Sequence, residues 1–247
     1  MSQRKRVLIL GGTGDAIELA ARAAERPGVE VITSLAGRTR QPIVSSENTR
    51  IGGFGGVAGL VDYLREQQID WLIDATHPFA AQISLNAAAA AAAMNIPHLM
   101  LIRPAWKPVA GDDWIEVDSN TAAAKVLSSL AQRIFLTIGR QELDAFAHLN
   151  GWFLMRMIDP PLPDKPVPAG KVLLDRGPFS LENERSLLEK YEIGAIVSKN
   201  SGGTATYAKI VAARERQIPV VMVQRPPVPA GEKVADVESA IAWLNTF

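Results

Sequence analysis

Three short stretches hold the residue types that could do chemistry. The first is Gly11-Gly12-Thr13-Gly14, directly after the apolar run Val7-Leu8-Ile9-Leu10 and before Ala16–Ala24, a string of strong helix formers. Glycines let backbone N–H groups approach a phosphate, and a helix starting there adds partial positive charge. The stretch supplies the first two glycines of a G-x-G-x-x-G pattern, with Ile17 in place of the third, so a plain tight turn is the alternative. The second stretch is Asp74-Ala75-Thr76-His77-Pro78-Phe79-Ala80. Asp74 or Thr76 can cap a following helix, and His77 is an acid or base that works near neutral pH. A structural histidine is the alternative there. The third is Ser198-Lys199-Asn200-Ser201-Gly202-Gly203-Thr204. Lys199, Asn200 and free backbone N–H groups would cradle an anion; a well-capped turn is the alternative.

Three further stretches add to these. Ser34-Leu35-Ala36-Gly37-Arg38-Thr39-Arg40 carries no acid where an NAD site places one for the ribose 2′-hydroxyl. A hydroxyl and a guanidinium suit a 2′-phosphate, which favours NADP over NAD; a solvated loop is the alternative. Arg50-Ile51-Gly52-Gly53-Phe54-Gly55-Gly56 allows close backbone approach beside one ring, suiting a flat ligand or a phosphate, or else forms a flexible loop. Thr137-Ile138-Gly139-Arg140-Gln141 is another glycine turn with a cation. His98 and His148 have no partner at metal-ligand spacing and read as structural. No Ser/His/Asp order and no paired carboxylates stand out.

The elements that must position these turns alternate along the chain. Strands are expected at Val29–Ser34, Trp71–Asp74 and His98–Ile102, with helices at Asp15–Glu25, Val57–Gln67 and Ala80–Met94. The run Ala87–Ala93 reads as a tightly packed helix. A second series follows: strands at Trp114–Val117, Ile134–Ile138, Trp152–Arg156, Val172–Leu174, Ala195–Ser198 and Val220–Val223, and helices at Thr121–Ala131, Gln141–Leu149, Leu181–Tyr191, Thr204–Arg216 and Val234–Leu244. This rhythm predicts an α/β protein with parallel sheets covered by helices. It restarts near Pro104–Asp113, which sets expected domains at 1–106 and 107–247 with a cleft between them. Ligands in such sheets sit at the carboxyl ends of strands, where most of these turns fall.

Composition narrows the rest. In 247 residues, 26 Lys and Arg balance 26 Asp and Glu, so no basic field exists to hold nucleic acid or an anionic membrane. The chain has no cysteine, which excludes disulfides, thiolate nucleophiles, zinc-thiolate sites and iron–sulfur clusters. Met1–Arg6 leads straight into the first strand without a signal peptide, and no apolar run reaches the roughly 20 residues of a membrane helix. A cytoplasmic protein is expected.

The ordered set of motifs resembles a known family. Gly11-Gly12-Thr13, Ser34–Arg38, Gly52–Gly56, Asp74–Ala80, Arg176-Gly177-Pro178-Phe179 and Lys199–Gly203, spread from Val7 to about Pro226, look like the precorrin-6A reductase family of cobalamin biosynthesis, which includes the cobalt-precorrin-6A reductases. The resemblance implies two Rossmann-like domains. It implies NADPH as hydride donor without flavin or metal, and a tetrapyrrole reduced at one ring double bond. Gly11, Gly12, Thr13 and Gly14 then match the phosphate loop, and Ser34 and Arg38 the 2′-phosphate contacts, with Gly37 between them also on the cofactor side. Gly53, Phe54, Gly55, Asp74, Thr76, His77 and Pro78 complete the cofactor side. The acetate and propionate arms of such a substrate call for scattered donors, here Arg140, Arg176, Lys199, Asn200, Ser201 and Gly202. The proton would come from water, His77 or Asp144. The resemblance also implies transient contact with neighbouring enzymes of the cobalamin pathway.

Two other readings stay open. One is a different NADPH-dependent reductase of a smaller enone or imine. The Tyr-x-x-x-Lys pair of the common short-chain type is missing, since Tyr63, Tyr191 and Tyr207 have no lysine four residues on. The other is a non-catalytic protein that senses NADPH.

Overall fold

The computed structural model describes residues 4–37 and 48–247, which fall into two compact units, each built on one sheet. The first unit opens with β1 (Lys5–Leu10), α1 (Gly14–Ala24), β2 (Val29–Leu35), β3 (Thr49–Ile51), α2 (Val57–Glu66), β4 (Trp71–Asp74), α3 (Ala81–Met94) and β5 (His98–Leu101). The apolar run of β1 is continuous because both of its faces are covered. Val7 and Ile9 pack with Leu19, Ala20 and Ala23 of α1. Leu8 and Leu10 point the other way, onto Leu60 and Leu64 of α2 and Ala87, Ala90 and Ala91 of α3. The alanine run thus buries a stripe at helical spacing and lets α3 lie close to its neighbours.

The second unit comprises β6 (Trp114–Val117), α4 (Asn120–Leu127), β7 (Arg133–Thr137), a single 3₁₀ turn (Leu143–Phe146), β8 (Trp152–Met157), β9 (Gly170–Leu174), α5 (Leu181–Lys190), β10 (Ala195–Lys199), α6 (Ala208–Glu215) and β11 (Val220–Val223). Its sheet runs β6-β11-β10-β7-β8-β9, with parallel pairing throughout. Phe135, Leu154, Ile196 and Met222 from four strands meet Leu188 of α5 and Ile210 and Ala213 of α6.

The chain then returns to the first unit. Pro226–Phe247 belongs there, not with the second half as the sequence boundary of 106/107 had it, and the first crossing falls after Pro104. The return adds β12 (Glu232–Val234), which pairs in parallel with β5, and α7 (Val237–Leu244), whose Val237, Ala240 and Leu244 join the α1 face. The first sheet therefore reads β12-β5-β4-β1-β2-β3, all parallel. The single helix expected over Val234–Leu244 is split, because Asp236 caps α7 by accepting the Ser239 N–H at 2.7 Å. Among the described residues no helix is long and apolar enough to cross a membrane.

A buried charged cluster lies in the second unit. Arg156 on β8 is bonded to Glu184 on α5 at 2.5 Å and lies over the Phe179 ring at 3.6 Å. Lys209 on α6 is buried nearby and donates to the Thr206 carbonyl at 2.8 Å. Burial, reinforced by the Arg156 charge and opposed by Glu184, lowers the Lys209 ammonium to about 7. The unfolded chain keeps a proton on Lys209 up to its ordinary value near 10.5. Between pH 7 and that value the unfolded chain binds more protons, so this group makes stability rise with pH, and its cost is greatest below pH 7. Lys209→Met is therefore expected to stabilise the protein more at pH 6 than at pH 9. The two gains should differ by roughly 3 kcal/mol, from about two pH units of linkage at about 1.4 kcal/mol each. Urea unfolding of both proteins at the two pH values checks this.

Candidate functional site

The order of the first sheet reverses direction at β1, between β2 and β4. Such a switch point opens a crevice at the carboxyl ends of the strands. Registers place Leu10 opposite both Ser34 and Asp74, and Leu35 opposite Ile51. The turns singled out in the sequence are brought together there by backbone bonds. Gly11 N–H donates to the Ser34 carbonyl at 2.9 Å, Ala75 N–H to the Leu10 carbonyl at 2.9 Å, and Gly52 N–H to the Leu35 carbonyl at 2.8 Å.

Thr13 ties the glycine turn down. Its hydroxyl accepts the Ala16 N–H at 3.1 Å, capping α1, and donates to the Ala75 carbonyl at 2.9 Å. Gly11 is packed, since a Cβ there would lie 3.3 Å from Leu35. Gly12 and Gly14 instead face open space, and Gly12 has φ +111. The turn thus presents bare backbone and a helix N-terminus at the switch point, which fits a dinucleotide pyrophosphate. Asp15 in the first turn of α1 is neutralised by Arg103 at 2.9 Å.

Asp74 and Thr76 do not cap α3. The Asp74 carboxylate accepts the Thr76 N–H at 3.0 Å and the Thr76 hydroxyl at 2.6 Å, fixing the chain as it leaves β4, while α3 starts without a side-chain cap. His77 follows with its Nδ1 accepting the Phe79 N–H at 3.2 Å. In the neutral ring this puts the proton on Nε2, the nitrogen able to donate. Pro78 leads on toward α3. Ser34 is buried and accepts from Arg50 at 3.0 Å. Gly37 has φ +69, and the residues after it, Arg38 among them, lie outside the described residues. Gly53 and Gly55 are open on the Cβ side, and Phe54 stacks edge-on against Tyr63 at 5.3 Å. Gly59 was not singled out by the sequence, yet a Cβ there would come 1.8 Å from the Phe54 carbonyl. It seats the glycine segment on α2.

The second sheet has its own reversal, between β7 and β10. The turns after these strands are therefore neighbours, with Thr137 opposite Ser198. Lys199 reaches across to Glu142 at 2.9 Å. Asn200 is buried, and its side chain is committed to the Trp106 backbone: its Oδ1 accepts the Trp106 N–H at 2.8 Å and its Nδ2 donates to the Trp106 carbonyl at 3.1 Å. Arg225 donates to the carbonyls of Asn200 and Ser201 at 2.8 and 2.9 Å, and the Trp106 indole to that of Gly203 at 2.7 Å. This turn is thus held by residues distant in sequence, and Asn200 serves as its anchor. Ser201 bonds back to the Lys199 carbonyl through both its N–H and its hydroxyl, and Gly202 has φ +68. Arg140 donates to the Pro160 carbonyl at 3.3 Å and lies 3.9 Å from Asp159. Arg176 follows β9 and is exposed, with its N–H on Asp175 at 2.8 Å. Asp144 sits in the 3₁₀ turn, paired with Lys165 at 3.0 Å, and that ammonium holds its carboxyl below the usual carboxylate range. It is therefore ionised at neutral pH and poorly suited to donate a proton.

The described residues contain no group of His, Asp and Glu placed to hold a metal. The profile of a family described as precorrin-6x reductase, CbiJ/CobK, matches residues 6–245. The chain is 52% identical over 244 residues to a precorrin-6A reductase of Rhodococcus erythropolis, covering 98% of each. To a precorrin-6A reductase of Rhodobacter capsulatus it is 43% identical over 240 residues, covering 97% of this chain and 95% of that one. A solved structure titled CobK precorrin-6A reductase is similar with a TM-score of 0.91 at 42% identity, covering 98% of this chain and 96% of that chain. With a family match running from the first strand to the last helix, the chain belongs to the precorrin-6x reductase family.

Proposed function

We propose that this protein reduces precorrin-6A in cobalamin biosynthesis, with NADPH as hydride donor. The observation that carries the substrate is the 52% identity to a precorrin-6A reductase along 98% of both chains. The cofactor rests on the open glycine turn at the N-terminus of α1 and on the absence of an acid after β2. Bound NADPH would supply the hydride; the chain binds and orients it. The N–H groups of Gly12–Gly14 and the α1 terminus hold the pyrophosphate. Ser34 and Arg38 hold the 2′-phosphate, and Asp74–Pro78 lines the nicotinamide end. Arg140, Arg176, Lys199 and the backbone of Ser201 and Gly202 take the carboxylate arms of the macrocycle. Hydride arrival makes the ring electron-rich, and donors of this kind stabilise the developing charge. The proton comes from His77 Nε2 or from water, since Asp144, an exposed carboxyl paired with Lys165, is ionised at neutral pH.

Anaerobic incubation of the protein with NADPH and metal-free precorrin-6A tests this reading. Loss of nicotinamide absorbance with a mass gain of two hydrogens is the expected result. Turnover only with the cobalt-containing substrate would move the protein to the other branch of the family. Tight NADPH binding without turnover of either would favour a sensor. Lys199→Ala is expected to raise KM for the tetrapyrrole about tenfold, the worth of one charge-assisted bond, while leaving NADPH affinity unchanged. Steady-state kinetics and cofactor titration read the two effects separately.

A further inference from the structure

Arg50 lies on β3 directly opposite Ser34 of β2. Its guanidinium is fixed on three sides. Nη1 donates to Ser34 Oγ at 3.0 Å and to the Gly52 carbonyl at 2.9 Å, and Nη2 donates to the Gly53 carbonyl at 3.1 Å. Its flat face lies 4.0 Å from the centre of the Phe54 ring and 5.0 Å from that of Tyr63. Arg26 of this unit also donates only to neutral oxygens, of Ile241, Leu244 and Asn245, whereas Arg6, Arg22, Arg65 and Arg103 are each paired with a carboxylate. Among the described residues Arg50 has none. It is a cation held by neutral oxygens and ring faces, with three of its five N–H groups committed to those oxygens.

The charge of Arg50 has no counter-ion among the described residues, and its place says which anion would supply one. A dinucleotide with its pyrophosphate on Gly12–Gly14 carries its adenosine ribose toward the carboxyl end of β2. Ser34 and Arg50 stand there together, one able to donate O–H and the other N–H in the planar geometry that matches a phosphate. Among the described residues no carboxylate has to be displaced first. We infer that Arg50, with the Ser34 hydroxyl, selects the cofactor by binding the phosphate monoester on the adenosine ribose. This rests on the NADPH reading above. It adds to that reading a specificity residue from β3, where the sequence suggested only residues after β2.

The test compares 2′,5′-ADP with 5′-AMP by titration calorimetry on the full chain, using the wild type, Arg50→Gln and Arg50→Lys, with thermal melts as the check on folding. The wild type should prefer 2′,5′-ADP. Arg50→Gln should weaken 2′,5′-ADP at least 30-fold and flatten its salt dependence, leaving 5′-AMP within threefold. Arg50→Lys keeps the charge without the fork and should lose three- to tenfold, again for 2′,5′-ADP alone. Equal losses for both ligands, or no loss in either variant, would overturn the role of Arg50 while the wild-type preference still supported NADPH. A wild type that binds 5′-AMP as well as 2′,5′-ADP would overturn both, and would do so before any variant was read.

Discussion

Gly14→Asp should leave the fold intact and weaken dinucleotide binding by more than 100-fold. Gly14 is the first residue of α1, and nothing lies within 4 Å of where its Cβ would stand. Aspartate in a first helical turn interacts favourably with the helix dipole, by about 0.3–1 kcal/mol. Folding stability should therefore stay level or rise slightly. A bound pyrophosphate meets the opposite situation. A new carboxylate about 5 Å from a phosphate charge costs on the order of 3 kcal/mol at an effective dielectric near 20. Arg103 offers little relief, because it is already paired with Asp15. Calorimetric titration with NADPH beside a thermal melt separates the effects. Unchanged affinity would move the pyrophosphate away from this turn, whereas a lower melting temperature would mean the turn is structural.

Glu184→Ala should cost about 3–5 kcal/mol of folding free energy, the range for removing one partner of a buried ion pair. Glu184 and Arg156 are both almost wholly buried. Without the carboxylate, the Arg156 guanidinium stays over the Phe179 ring with Lys209 nearby and no counter-charge. The second Glu184 oxygen has no hydrogen-bond partner, so the pair itself is imperfectly satisfied. Replacing both partners by apolar residues, Arg156→Met with Glu184→Leu, should therefore recover most of the loss. Urea denaturation of the single and double variants measures this. A double variant as unstable as the single would mean that the charges position Phe179 in a way packing cannot replace.

The contrast between these two sites shows what is legible in a sequence. Gly11–Gly14, Asp74–Pro78 and Lys199–Gly203 could be read from neighbouring residues alone, because each is a strand end, a polar or glycine turn and a helix start in one stretch. β4 and β11 fall at the expected residues, since a strand buried on both faces leaves a compact apolar run. Short edge strands leave no such mark. β3 and β12 have three residues each, and neither was expected. They are strands only because β2 and β5 offer them a partner. Helix lengths drifted for a related reason. The residues between Thr204 and Ala208 favour a helix locally, but α6 begins only at Ala208, after the turn that follows Gly202 and Gly203 at φ +68 and +74.

The sequence by itself determined the fold class, the alternation of strands and helices, and the polar and glycine turns at the strand ends. All of these follow from local propensity and burial pattern. Only the tertiary structure decided which side chains those turns can use. Asn200 is committed to Trp106, 94 residues away, and Arg50 is brought to Ser34 by the pairing of β3 with β2. Asp144 is paired with Lys165, and the last 22 residues are drawn back to the first sheet by the open edge of β5. These outcomes depend on hydrogen bonds and charges between segments that are distant in the chain, and local spacing carries no record of them.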